Sequence, residues 1–189
     1  MNRCNYKKCD LNTLISYVQK SDIKATAEFI KRIQKDLYTF FCHLCPPKDS
    51  VSDLTQETLI KIIKNINSLK NINQFKNWSN RIAINVFYDS IRKNKKSENI
   101  LELNSEIFDF IEDKKNKPHE TCQCKELECK IKACIINLPL NARIAIILRE
   151  LEGLSYEEIA KLTNTNLGTV KSRISRAREK LQLELANYL

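Results

Sequence analysis

Lys171, Ser172, Arg173, Ser175, Arg176 and Arg178 fall in one short stretch that holds no carboxylate before Glu179. Guanidinium forks and hydroxyls at this density donate hydrogen bonds to guanine edges or to phosphate oxygens. Val170, Ile174, Ala177 and Leu181 recur at helical spacing in the same stretch, so the basic groups lie off a buried stripe. A helix of this kind suits the major groove of duplex DNA. The plainer alternative is a solvated basic helix in an ordinary bundle.

A second set mixes Arg81, Arg92 and Lys93 with Trp78, Phe87 and Tyr88, next to an asparagine-rich polar stretch at residues 67–74. Cations that neutralise a backbone and aromatic faces that receive unstacked bases suit single-stranded nucleic acid. Phe75 and Trp78 keep to the apolar side of their helix and read as core anchors. Tyr88 falls off that stripe and is the better base contact. His43 and His119 lack any partner set resembling a triad or a metal-activated water, so no catalytic residue is assigned.

The eight cysteines form two clusters. Cys42-His43-Leu44-Cys45 has metal-ligand spacing, and with Cys4 and Cys9 a four-thiolate site is conceivable. Cys122, Cys124, Cys129 and Cys134 form the other. In a helix a step of five residues turns about 140 degrees, so Cys129 and Cys134 cannot readily share an ion. Reduced thiols are the preferred reading for both clusters, with no metal and no cofactor; sensing of metal or oxidant by one of them is the alternative.

These groups need helices to position them. Leu11, Leu14, Ile15 and Val18 predict a first helix, ended at Ser21-Asp22, where Asp22 can cap the next. The second carries Phe29, Ile30, Ile33, Leu37, Phe40, Phe41 and Leu44 and stops at Pro46-Pro47. A third follows Asp49-Ser50 with Leu54, Thr58, Leu59, Ile62, Ile63 and Ile66 inward. Residues 67–74 read as a loop. A fourth places Phe75, Trp78, Ile82, Val86 and Asp89 on or near one stripe. Beyond an acidic run, helices are predicted from Glu120 to Asn137 and from Asn141 to Glu152, the latter with Ile144, Ile147, Leu148 and Leu151 inward and Gly153 as its stop. Two short helices then meet at Thr163-Asn164-Thr165-Asn166, where Asn164 tolerates a left-handed backbone and Asn166 can cap.

With 189 residues, 42% apolar, and only two Gly and four Pro, the fold class is all-α: two small helical domains joined by a linker, the C-terminal one containing a helix-turn-helix. The boundaries drawn are 1–22 for a tail and first helix, 23–96 for the first domain, 97–119 for the acidic linker and 120–189 for the second domain. A net charge of +9 favours a polyanionic partner. No apolar run approaches the roughly 18 residues that span a bilayer, so no membrane insertion is expected. The basic start lacks a following apolar core and is no secretory signal, so the expected location is cytoplasmic.

Laid out in order, the motifs resemble the sigma-70 family of bacterial transcription initiation factors, of the small two-domain extracytoplasmic-function type. Asp53-Leu54-Thr55-Gln56-Glu57-Thr58, Phe75-Lys76-Asn77-Trp78, Arg81-Ile82-Ala83-Ile84-Asn85, Asp89 and Arg92 look like the family's second region. Leu138-Pro139, the run from Leu148 to Ala160, and Gly168-Thr169-Val170-Lys171-Ser172-Arg173 look like its fourth. The resemblance implies that Asp53, Gln56 and Glu57 dock onto core RNA polymerase. It implies that the segment at 67–74, with Asn71 and Asn73, captures a flipped base of the melted −10 element, while Lys76, Asn77, Asn80, Arg81, Tyr88 and Arg92 grip the single strand. Thr169, Lys171, Ser172, Arg173, Ser175, Arg176 and Arg178 would bind the −35 element of promoter DNA as duplex. An anti-sigma factor is a further implied partner. Members usually carry Gly at the position of Asn164, an apolar residue at Thr165 and an acidic residue or Pro at Leu167, departures that imply a looser corner and an unusual −35 preference; in the first domain they often carry Leu at Ser79.

The leading reading is therefore a sigma factor that binds core RNA polymerase, recognises a promoter and helps open it, and that is not an enzyme. The alternative is a free-standing helix-turn-helix regulator. A recombinase-like enzyme is weaker, for want of a carboxylate cluster or a nucleophilic Ser/Tyr constellation.

Overall fold

The computed structural model describes residues 6–45, 50–97 and 122–186, and every regular element among them is helical. The chain divides into two units, Met1–Asn94 and Lys95–Leu189.

In the first unit, α1 (Leu11–Gln19) begins where the Asp10 carboxylate accepts the Thr13 N–H at 3.1 Å, and it buries Leu14, Ile15 and Val18. Ser21 takes a positive φ of 63° and turns the chain. Asp22 then caps α2 (Ile23–Leu44) by accepting the Ala25 N–H at 2.9 Å, which is the break and cap that the sequence predicts. The long α2 buries Phe29, Ile33, Leu37, Phe40, Phe41 and Leu44 and packs against both α1 and α3 (Ser50–Asn65). Phe29 meets Phe75, the first residue of α4 (Phe75–Ser97), edge to face at 5.4 Å. The buried side of α4 is Ala83, Ile84, Val86 and Phe87, not the predicted line through Ile82 and Asp89. Asp89 is half-buried because Lys61 of α3 reaches it at 3.6 Å.

Residues 67–74 are more ordered than the expected loop. Two 3-10 turns, Ile66–Ser68 and Ile72–Gln74, run through them. Ile66, Leu69, Ile72 and Phe75 recur every three residues, the period of that helix, and all but Ile72 are buried. Burying Leu69 alone contributes about 2 kcal/mol toward pinning the segment.

In the second unit α8 (Leu167–Leu185) is the hub, packed on α5 (Cys122–Ile136), α6 (Leu140–Glu150) and α7 (Tyr156–Thr163). Ile144, Ile147 and Leu148 of α6 are buried as their spacing requires, with Ala145 and Ile146. Leu151 is not: it is 48% exposed, because it caps the last turn where the chain leaves the helix. Gly153 then adopts a φ of 72° and returns the chain so that Leu154 is buried. Ser155 and Glu158 form a reciprocal capping box that starts α7, with hydrogen bonds of 3.2 and 2.8 Å. Asn164 closes α7 in the left-handed region, φ 51° and ψ 50°. Asn166 precedes α8 in extended backbone but its side chain makes no capping bond, contrary to expectation. Ile159, Val170, Ile174 and Ala177 are buried, whereas Leu162 and Leu181 are only half so.

The acidic run from residue 98, and Cys4, lie outside the described residues. So do the side chains of Cys122 and Cys124. Among the described residues no cluster of three or more metal-ligating side chains occurs. Arg32 donates to the Cys9 carbonyl at 2.6 Å and so holds Cys9 level with its own turn of α2, roughly 15 Å along the axis from Cys42. That separation works against a thiolate site shared by Cys9, Cys42 and Cys45.

Candidate nucleic-acid interface

The basic residues of α8 divide between two flanks of the helix. At about 100 degrees per residue, Thr169, Ser172, Arg173 and Arg176 fall within roughly 100 degrees of one another. Lys171, Ser175 and Arg178 gather within roughly 60 degrees on another flank. On the first flank Ser172 and Arg176 are exposed and Thr169 and Arg173 half-exposed, and α8 carries no carboxylate until Glu179. The second flank is exposed throughout, but two of its residues, Arg178 and Ser175, are already engaged by acids. Arg178 donates to Glu150 of α6, which raises its pKa further above the ordinary value, and Ser175 donates to Glu179 at 3.4 Å. Arg149 lies over the ring of Tyr156, 4.8 Å from its centroid, and donates to the Leu154 carbonyl at 2.9 Å, which ties the end of α6 to the start of α7.

The helix-turn-helix corner has its own chemistry. The hydroxyls of Thr163 and Thr165 lie 2.9 Å apart, so a hydrogen bond stands where an apolar contact was the alternative. Leu167 is 36% exposed at the start of α8 and adds no core.

In the first unit, Asn77, Arg81, Tyr88 and Arg92 share one face of α4, spanning roughly 60 degrees. Arg81 and Arg92 are exposed; Asn77 and Tyr88 are half-buried, and the Tyr88 ring lies 6.4 Å from that of Phe87. Asn85 is exposed on the same face, four residues from Arg81, and joins this set although the resemblance assigned it no contact. Lys76 is exposed in the first turn, whereas Asn80 is only 5% exposed. Asn80 faces the interior with Ser79, Ala83 and Phe87, which removes its side chain from the set that can reach a strand. Asn71 and Asn73 are exposed on the turns that precede α4, with the Asn71 side-chain oxygen accepting the Asn73 N–H at 3.1 Å.

A third surface lies on α3. Asp53 and Gln56 are exposed and Glu57 half-exposed. Glu57 bonds Lys61 at 3.0 Å, which, ahead of the effect of Asp89, holds the Lys61 ammonium above its ordinary pKa. Between Gln56 and Asp53 around the helix sits Ile60, 53% exposed, an apolar group that the sequence reading passed over. Its position three and four residues from Glu57 and Gln56 was the missed cue.

Of the cysteine thiols, Cys129 is exposed and Cys134 buried; burial, then the neighbouring Glu184, pushes the Cys134 pKa up and keeps it a thiol. No helix among the described residues is long and apolar enough to cross a membrane.

Comparison with known proteins adds an independent line. Residues 29–97 match the family model for sigma-70 region 2, and residues 130–181 that for sigma-70 region 4. The ECF RNA polymerase sigma-E factor of Haemophilus influenzae is 34% identical over 174 residues, covering 89% of this chain and 92% of the relative. Its Escherichia coli K12 counterpart is 34% identical over 171 residues, covering 88% and 89%. Among solved structures, a chain from the complex of sigma factor RpoE with anti-sigma factor NepR from Bartonella quintana superposes with a TM-score of 0.64. It is 28% identical, with 87% of this chain and 98% of that one covered.

Proposed function

The chain belongs to the sigma-70 family, extracytoplasmic-function type, and from that premise we propose that it binds core RNA polymerase and directs it to promoters whose −10 and −35 elements its two units read. The observation that carries this is the pairing, in one chain, of two differently built basic surfaces. The α8 strip of Thr169, Ser172, Arg173 and Arg176 has the shape and forks for duplex. The α4 face of Asn77, Arg81, Asn85, Tyr88 and Arg92, with Asn71 and Asn73 beside it, has the aromatic and amide groups for bases already out of the stack.

Lys171 and Arg178 flank the reading strip and serve the phosphate backbone, which positions without specifying. The α3 face of Asp53, Gln56, Glu57 and Ile60 docks onto polymerase, its exposed isoleucine ringed by polar groups as interface anchors are. None of these steps asks the chain for a catalytic residue, and the work is done on DNA in the cytoplasm. An anti-sigma factor, the partner named in the structural relative's complex, would act by covering these surfaces.

Mixing the protein with core polymerase and a promoter library tests the reading: specific transcripts are expected only when both are present. Sequence-specific duplex binding without any affinity for core polymerase would instead support a free-standing regulator.

A further inference from the structure

The segment that carries Asn71 and Asn73 is held by a helix nearly fifty residues earlier in the chain. Gln19, the last residue of α1 and half-buried, donates through Nε2 to the main-chain oxygens of Ile66 and Leu69, each at 3.0 Å. Those two carbonyls bracket Asn67 and Ser68. At the far end of the segment, Asn12 Nδ2 of the same helix donates to Asn73 Oδ1 at 3.0 Å. A nitrogen set between two carbonyls can act only as a donor, so the Gln19 amide has a single satisfied orientation.

We infer that α1 is a brace for the base-capturing segment, with Gln19 as its positioning residue and Asn12 as a second tie. The inference rests on the −10 reading above. Telling one extruded base from another requires donors and acceptors placed to within a few tenths of an ångström, because hydrogen bonds weaken steeply off their geometry. Burial of Ile66 and Leu69 seats the two short 3-10 turns, but the exposed Asn71 and Asn73 gain their placement only if the main chain between those anchors is fixed as well. The Gln19 fork fixes the main chain on one side, and Asn12 ties the Asn73 side chain on the other. Neither brace residue has to touch the strand; each acts through the segment.

The test uses the full chain with core polymerase and four pre-melted promoter probes that differ only at the captured base. Gln19→Glu keeps the shape but replaces the donor with an oxygen facing two carbonyls. It is expected to cut the ratio between best and worst base by about fivefold or more, with polymerase affinity and salt dependence unchanged. Gln19→Lys, a donor again, should recover at least half of the lost discrimination, a rescue that a merely structural role would not give. Unchanged discrimination in Gln19→Glu, or an equal loss on all four probes, overturns the brace. Should Gln19→Glu fail to fold, Asn12→Ala at the exposed tie carries the test, and full discrimination there is equally fatal. A wild-type protein that binds polymerase yet ignores the base would bring down the −10 reading itself, a result distinct from the brace failing alone.

Discussion

Arg178 and Glu150 stand 28 residues apart in sequence yet share a two-pronged contact, with Arg178 Nη2 reaching Glu150 Oε1 at 2.5 Å and Nε reaching the same oxygen at 3.0 Å. Both side chains are about half exposed, so the pair adds little to stability. Its effect is on availability, since a guanidinium held by a carboxylate must exchange that partner for a phosphate when DNA arrives. Glu150→Gln should therefore strengthen duplex binding several-fold at low salt and steepen the salt dependence by about one ion. Titration of a labelled −35 duplex across salt concentrations checks this; an unchanged slope would mean that Arg178 stays with α6 in the complex.

Arg173 and Lys171 lie on different flanks of α8 and should fail differently. Arg173→Ala is expected to cost about 1–3 kcal/mol on the best duplex and to relax preference at one or two base pairs. Lys171→Ala should weaken all duplexes alike and lower the salt slope by about one. Binding to a set of singly substituted duplexes separates the two outcomes, and a base-specific defect in Lys171→Ala would reassign it to the reading strip.

Ile60 gives the docking surface a clean probe. Half of its side chain is in solvent, so Ile60→Ala should leave the melting temperature nearly unchanged. At the centre of an interface the same truncation removes more than 1 kcal/mol, or roughly tenfold in affinity for core polymerase. Equal affinities in a competition assay against wild type would place the polymerase contact elsewhere.

Asp22 sets a pH dependence. The Ala25 N–H, then the Tyr6 hydroxyl at 2.7 Å, stabilise its carboxylate and hold its pKa below the ordinary 3.8. A depressed carboxylate contributes stability above its unfolded pKa and loses it as pH falls through the folded value. Asp22→Ala should thus melt lower than wild type near neutral pH, with the gap narrowing below about pH 4. Thermal melts at several pH values would show it, and a gap that persists at the acid end would assign the effect to something other than this carboxylate.

Helical periodicity in the sequence was enough to place the elements and most of the core, because Leu14, Ile15 and Val18 or Val170, Ile174 and Ala177 repeat at the helical period. It misled where tertiary context decides. Leu151 continues the apolar spacing of α6 but lies past its last turn, so about half of it stays in solvent. Asn80 looked like one of several polar groups along α4 and proved to be on the packed side. The turns at 66–74 were hidden because a three-residue apolar rhythm was masked by asparagines. The Ser155–Glu158 capping box was written in the sequence at the required spacing of three. The split of α8 into a reading strip and an acid-engaged flank was not legible, since it depends on where α6 places Glu150.

The Gln19 fork also bears on where sequence change would do harm. Substitutions there would leave a folded, polymerase-competent protein whose error lies in choice: transcription from starts that an intact brace rejects. Damage of that kind escapes any screen for solubility or abundance and shows only in which genes are switched on.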